Sequence, residues 1–133
     1  MSLQYELCPG SESFKKLVKK LENPDVTYQN SVKRLARDHF NVKAIIQDIL
    51  ACKDSMSTLT MLNEKGRSIL NHMRNELDNL EMYGKEMGDQ TCVVEVAAQR
   101  QQMACLLKEF KDSNIISMFA IEKAQREDLL KSP

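Results

Sequence analysis

Residues Asn41 to Gly66 read NVKAIIQDILACKDSMSTLTMLNEKG, and this stretch decides the fold. Val42, Ile45, Ile46 and Ile49 recur at helical spacing, leaving Lys43, Gln47 and Asp48 for solvent. A polar interval follows. Asp54, Ser55 and Ser57 are each able to cap an incoming helix, because a side-chain oxygen there accepts a hydrogen bond from an unpaired N–H of the first turn. Leu59, Leu62, Gly66 and Ile69 then resume a three-four alternation. The pattern is a helix, a tight corner and a second helix.

Working outward, the earlier helix starts at Asp25 or Thr27 and runs to about Lys53, its seam formed by Val32, Leu35, His39, Val42, Ile46 and Ile49. His39 reads as a packing residue, with no acid or nucleophile implied beside it. The later helix spans about Ser55 to Met87 on Leu59, Leu62, Gly66, Ile69, Met73, Leu77, Leu80 and Met87. Gly66 allows another backbone to approach closely, and Gly84 weakens the last turns. Gly88-Asp89 closes this helix and opens a final one, from Gln90 or Thr91 toward Leu130, with a bend expected at Asp112-Ser113-Asn114. The short connection makes these two helices antiparallel neighbours.

In the final helix Val93, Val96, Ala97, Met103, Leu107 and Phe110 are expected to face inward, continued by Ile115, Met118, Phe119, Ile121, Leu129 and Leu130. That second half is apolar on more than one side. Ile115, Ile116, Phe119 and Ile121 exceed what one seam holds, so some lie on a partner-facing surface or under an N-terminal helix. That N-terminal piece, capped by Ser11, carries Phe14, Leu17, Val18 and Leu21 beside Lys15, Lys16, Lys19 and Lys20. It reads as a short helix docked on a bundle with its lysines solvated, in preference to one lying on a membrane. The expected organisation is a leader and short helix over residues 1–26 and a bundle over 27–133. The fold class is all-α, an antiparallel bundle of three long helices plus the short N-terminal one.

Composition agrees. The 133 residues hold 42% hydrophobic and 29% charged side chains, with 4 Gly and 3 Pro, which suits a single helical domain. Nineteen basic and 19 acidic residues cancel, so the chain as a whole has no electrostatic case for nucleic acid. Cys8, Cys52, Cys92 and Cys105 form no CxxC pair, and His39 and His72 stand apart from them; they read as reduced packing thiols, not zinc ligands. The first ten residues lack the apolar core of a signal peptide, and the longest apolar runs fall far short of the ~20 residues that span a bilayer. With no Gly-rich phosphate loop, no recognisable carboxylate pair and no Cys/His dyad, the reading is non-enzymatic and without cofactor or metal.

Three segments, VKAIIQDIL (Val42 to Leu50), LTMLNEKG (Leu59 to Gly66) and FAIEKAQREDLL (Phe119 to Leu130), resemble in order and separation the N-terminal region of the Sec-twenty family. Members are Qb-SNAREs of the endoplasmic reticulum acting in retrograde traffic from the Golgi. The resemblance runs from about Asn30 to Leu130. It implies a cytosolic-face domain that docks a subunit of the endoplasmic-reticulum tethering complex, with other SNAREs engaged by the full-length protein and a C-terminal anchor beyond this sequence. Animal members are also described as BCL-two-interacting proteins. Their BH-three-like segment aligns with Asn114 to Ala124, where Ile116, Ala120 and Glu122 would supply anchor, small residue and acid; a glutamate replaces the aspartate, and Ile121 intervenes. The partner-binding candidates are therefore Ile115, Ile116, Phe119, Ala120, Ile121 and Glu122.

Overall fold

The computed structural model describes residues 24–131. The short helix expected over Ser11–Leu21 lies outside them. The described residues are all-helical apart from two connections: α1 spans Pro24–Ala51, α2 Met56–Met87 and α3 Gln90–Lys131. From Arg34 onward the chain forms one compact unit, and the packing below is that of this unit.

The connections follow from side-chain chemistry. α1 stops at Ala51, two residues before the expected end, and the Cys52 N–H turns back to the Ile49 carbonyl at 3.0 Å. Of the three capping candidates, Ser55 takes the role: its backbone is extended (φ −133°) and its Oγ accepts from the Thr58 N–H at 3.2 Å. The second connection needs a left-handed residue. Gly88 supplies it at φ 64°, and the Asp89 N–H closes on the Gly84 carbonyl at 2.8 Å. Asp89 then accepts from the Cys92 N–H through Oδ1 at 3.1 Å, which starts α3.

Packing keeps most of the expected seam and shifts part of it. Leu35, Val42, Ile45, Ile46 and Ile49 of α1 are buried, as are Leu59, Leu62, Leu70, Met73, Leu77 and Leu80 of α2. His39 is half-buried. Leu70 is buried where Ile69 is only half so, and Met87, expected inside, is exposed. In the first half of α3 the inward positions are Cys92, Val96, Met103, Leu106 and Phe110. Ala97 is exposed, and Val93 and Leu107 are half-buried. These are one-residue rotations of the stripe, the usual error when two adjacent residues are both apolar.

The two helical glycines are contact points. A Cβ on Gly66 would stand 2.7 Å from Cζ of Phe110, and one on Gly84 would stand 3.1 Å from the Cys92 sulfur. Gly84 is thus more than a weak spot in the last turns: its missing side chain lets α3 begin against α2. Polar pairs mark the helix edges. Arg34 meets Glu76 at 2.6 Å and Asp38 meets His72 at 2.6 Å between α1 and α2, Lys43 meets Glu109 at 2.7 Å between α1 and α3, and Arg100 holds Asp78 and Glu81 at 2.7 and 2.6 Å between α3 and α2. Along α2 and α3 the contacts fall in opposite order, Gly84 with Cys92, Asp78 and Glu81 with Arg100, Gly66 with Phe110.

The Arg100 fork sets an acid dependence. Its hydrogen bond, joined by one from Lys85, holds the Glu81 carboxyl below its ordinary 4.5. A depressed carboxyl binds fewer protons folded than unfolded, so the stability it contributes is complete above about pH 4.5 and lost as acid protonates it. The Tm difference between the parent and Glu81→Gln should therefore shrink steadily below that pH; a constant difference would show that the fork contributes nothing. Glu81 is solvated, so the effect should be small.

Candidate protein-docking face

In the second half of α3 the inward stripe runs through Phe110, Ser113, Ser117 and Ile121, all buried. The steps of three and four continue the helical period, but two of the four side chains are serines. Because the serines occupy the inner face, the neighbouring apolar residues are turned outward. Ile115 is 51% exposed, Ile116 55% and Phe119 65%, with Met118 beside them. The expectation that Ile115, Met118 and Phe119 continue the core is overturned, as it is for Leu129 and Leu130, both exposed.

The six candidates therefore divide. Ile115, Ile116 and Phe119 share the exposed side, Glu122 is exposed next to them, and Ala120 is half-buried. Ile121 is 1% exposed and belongs to the core. Its β-branched chain fills the position after Ser117 on the inner stripe, so it is not available to a partner while the helix stays packed. Met118, which was read as a core position, joins the outer group.

Buried serines have to satisfy their hydroxyls. Ser117 Oγ donates to the Cys52 carbonyl at 2.5 Å, which ties α3 to the end of α1. Ser113 Oγ donates to the Phe110 carbonyl at 2.8 Å, and Asn114 Nδ2 to the same carbonyl at 2.9 Å. These hydroxyls were the missed signal. A Phe-x-x-Ser-x-x-x-Ser-x-x-x-Ile spacing is helical throughout, but a search restricted to apolar residues passes over it.

The outer apolar group is rimmed by Lys111, Asp112, Glu122 and Lys123, all exposed. An apolar centre with a mixed-charge rim is the ordinary anatomy of a protein contact, and it has no chemistry of its own. A cleft of about 210 Å³ between α1 and α3 is lined by His39, Lys43, Gln102, Cys105, Leu106 and Glu109. Its two charged liners are paired with each other. Among the described residues no group of three or more His, Cys, Asp or Glu could hold a metal ion, and Cys52, Cys92 and Cys105 are free. Burial, with Asp89 and Glu95 nearby, pushes the Cys92 thiol up and disfavours its reactive thiolate. Among the described residues no helix is long and apolar enough to cross a membrane.

Human vesicle transport protein SEC20 is 28% identical to this chain over 111 residues, which is 80% of this chain and 49% of the human protein. The chain is similar to SEC20 over most of its own length. It spans about half the length of that relative. The similarity bears out the family read from the three segments in α1, α2 and α3. No family model and no solved structure matches the chain. The SEC20 name speaks of vesicle transport; it names neither a tether nor a BCL-two-type protein.

Proposed function

We propose that this chain is a non-enzymatic docking domain of a SNARE in Golgi-to-endoplasmic-reticulum retrograde transport, working at the cytosolic face of the endoplasmic reticulum. Its partner is a subunit of the tethering complex there, and the helices act as an antiparallel bundle that stays folded on binding. The opposite order of the α2 and α3 contacts supports that arrangement. The observation that carries the docking role is the exposure of Ile115, Ile116 and Phe119 on a helix whose inner face is already occupied by Ser113, Ser117 and Ile121. Similarity to a vesicle transport protein supplies the class of partner.

Phe119 and Met118 are of the aromatic and methionine types enriched at interface centres, and Ile115 and Ile116 widen the apolar area inside the polar rim. Phe119→Ala and Ile116→Ala should each weaken binding to the purified tether subunit by ~1–2 kcal/mol. Both side chains are more than half exposed, so the unfolding free energy should stay within ~0.5 kcal/mol of the parent's. Absence of binding by the folded parent at tens of micromolar would end the adaptor reading. Binding that neither substitution weakens would keep the adaptor and move the face elsewhere.

A further inference from the structure

We propose that α3 from Ser113 onward is a hinged arm that swings free of α1 and α2 as a unit, long before the bundle unfolds. The segment is packed with its polar side inward: Ser113 and Ser117 are buried while Ile115, Ile116 and Phe119 face out. Little apolar surface therefore holds it. Beyond Phe110, the buried residues of α3 are Ser113, Ser117 and Ile121, and from Glu122 to Lys131 no side chain is buried.

The hinge, fulcrum and latch are separate groups. At the hinge, Ser113 Oγ and Asn114 Nδ2 both donate to the Phe110 carbonyl, competing with the backbone bond that carbonyl takes in a regular helix; such back-bonding loosens and bends helices. The fulcrum is the Phe110 ring seated over Gly66, which fixes everything before the hinge. The latch is the Ser117 hydroxyl on the Cys52 carbonyl, with Ile121 packed after it. The closed arm also carries a cost of its own. Asn114 Oδ1 is buried without a hydrogen-bond partner, and opening returns it to water. Opening exposes Ile121 and Cys52 and leaves an arm that is apolar on two sides. This property belongs to the isolated chain and stands or falls without the docking reading.

Two buried thiols report on it. Cys52, whose carbonyl the latch holds, is buried, Cys92 is buried at the start of α3 before the hinge, and Cys105 is exposed. The test uses the full chain with Cys8→Ser and Cys105→Ser, a thiol-trapping reagent at neutral pH, and hydrogen exchange read by mass spectrometry. Amides at 117–121 should exchange at least tenfold faster than those at 103–106. Ser117→Ala should speed Cys52 trapping about tenfold and leave Cys92 unchanged. Asn114→Ala, which removes the competing bond and the orphaned oxygen, should slow Cys52 trapping. If the 117–121 amides exchange as slowly as 103–106, or if Ser117→Ala speeds both thiols equally, the arm does not open on its own and the proposal is wrong. Should Ser117→Ala fail to fold, Asn114→Ala decides: a slower Cys52 supports the hinge, and an unchanged or faster one overturns it.

Discussion

Ile46→Asp should unfold the domain at neutral pH. Ile46 is 4% exposed, between Val42 and Ile49, which are wholly buried. Losing a large aliphatic group from such a site costs ~2–5 kcal/mol. The carboxylate adds more, because it must either be buried charged or take up a proton at pH 7. The second route costs about 1.4 kcal/mol for each unit by which pH 7 lies above the ordinary Asp value of about 3.9, or roughly 4 kcal/mol. Together these approach the whole stability of an ordinary small domain, ~5–15 kcal/mol. The sign with pH is distinctive. A buried Asp binds its proton more tightly folded than unfolded, so the variant should regain helicity as pH falls from 7 toward 4. Gln47→Asp, on the exposed neighbour, is the control and should change stability by no more than ~0.5 kcal/mol. An unchanged Tm for Ile46→Asp would remove Ile46 from the core.

How much of this was legible in the sequence differs between the helices for a physical reason. α1 and α2 are amphipathic in the plain sense, so Val42, Ile46, Ile49, Leu59, Leu62 and Leu77 locate the core from spacing alone, and Ser55 and Gly88 mark the corners by their capping chemistry. α3 resists the same reading, because its second half is as apolar outside as inside. What decides which side faces in there is the fit of small residues against the end of α1, through a hydroxyl whose partner, the Cys52 carbonyl, is 65 residues away. No periodicity encodes that partner. Spacing did show that Ile115, Ile116, Phe119 and Ile121 could not all be hidden, and the docking face rests on that excess. It could not show that Ile121 is the one that stays inside. Glycine was legible in part: Gly66 as a close approach, Gly84 only as a weak point.

The Gly66 and Phe110 pair offers the other large effect, and its direction changes with background. On helix propensity alone Gly66→Ala gains ~1 kcal/mol. Against that, the new methyl would overlap the Phe110 ring, standing 2.7 Å from Cζ, and the ring is 4% exposed with little room to retreat. Overpacking of this kind costs ~1–3 kcal/mol, so Gly66→Ala should be net destabilising, and Gly66→Leu much more so. Phe110→Ala alone should cost ~3–5 kcal/mol through the cavity it leaves. In that background the clash is gone and the cavity can take a methyl, so Gly66→Ala should become stabilising by ~1 kcal/mol. A coupling of ~1–3 kcal/mol between the two positions, the overpacking cost relieved, is expected from residues in direct contact. Denaturant unfolding of the four proteins in the cycle measures it. Additive effects, or a parent stabilised by Gly66→Ala, would mean that the ring does not sit on this glycine and that α2 and α3 are not held together there.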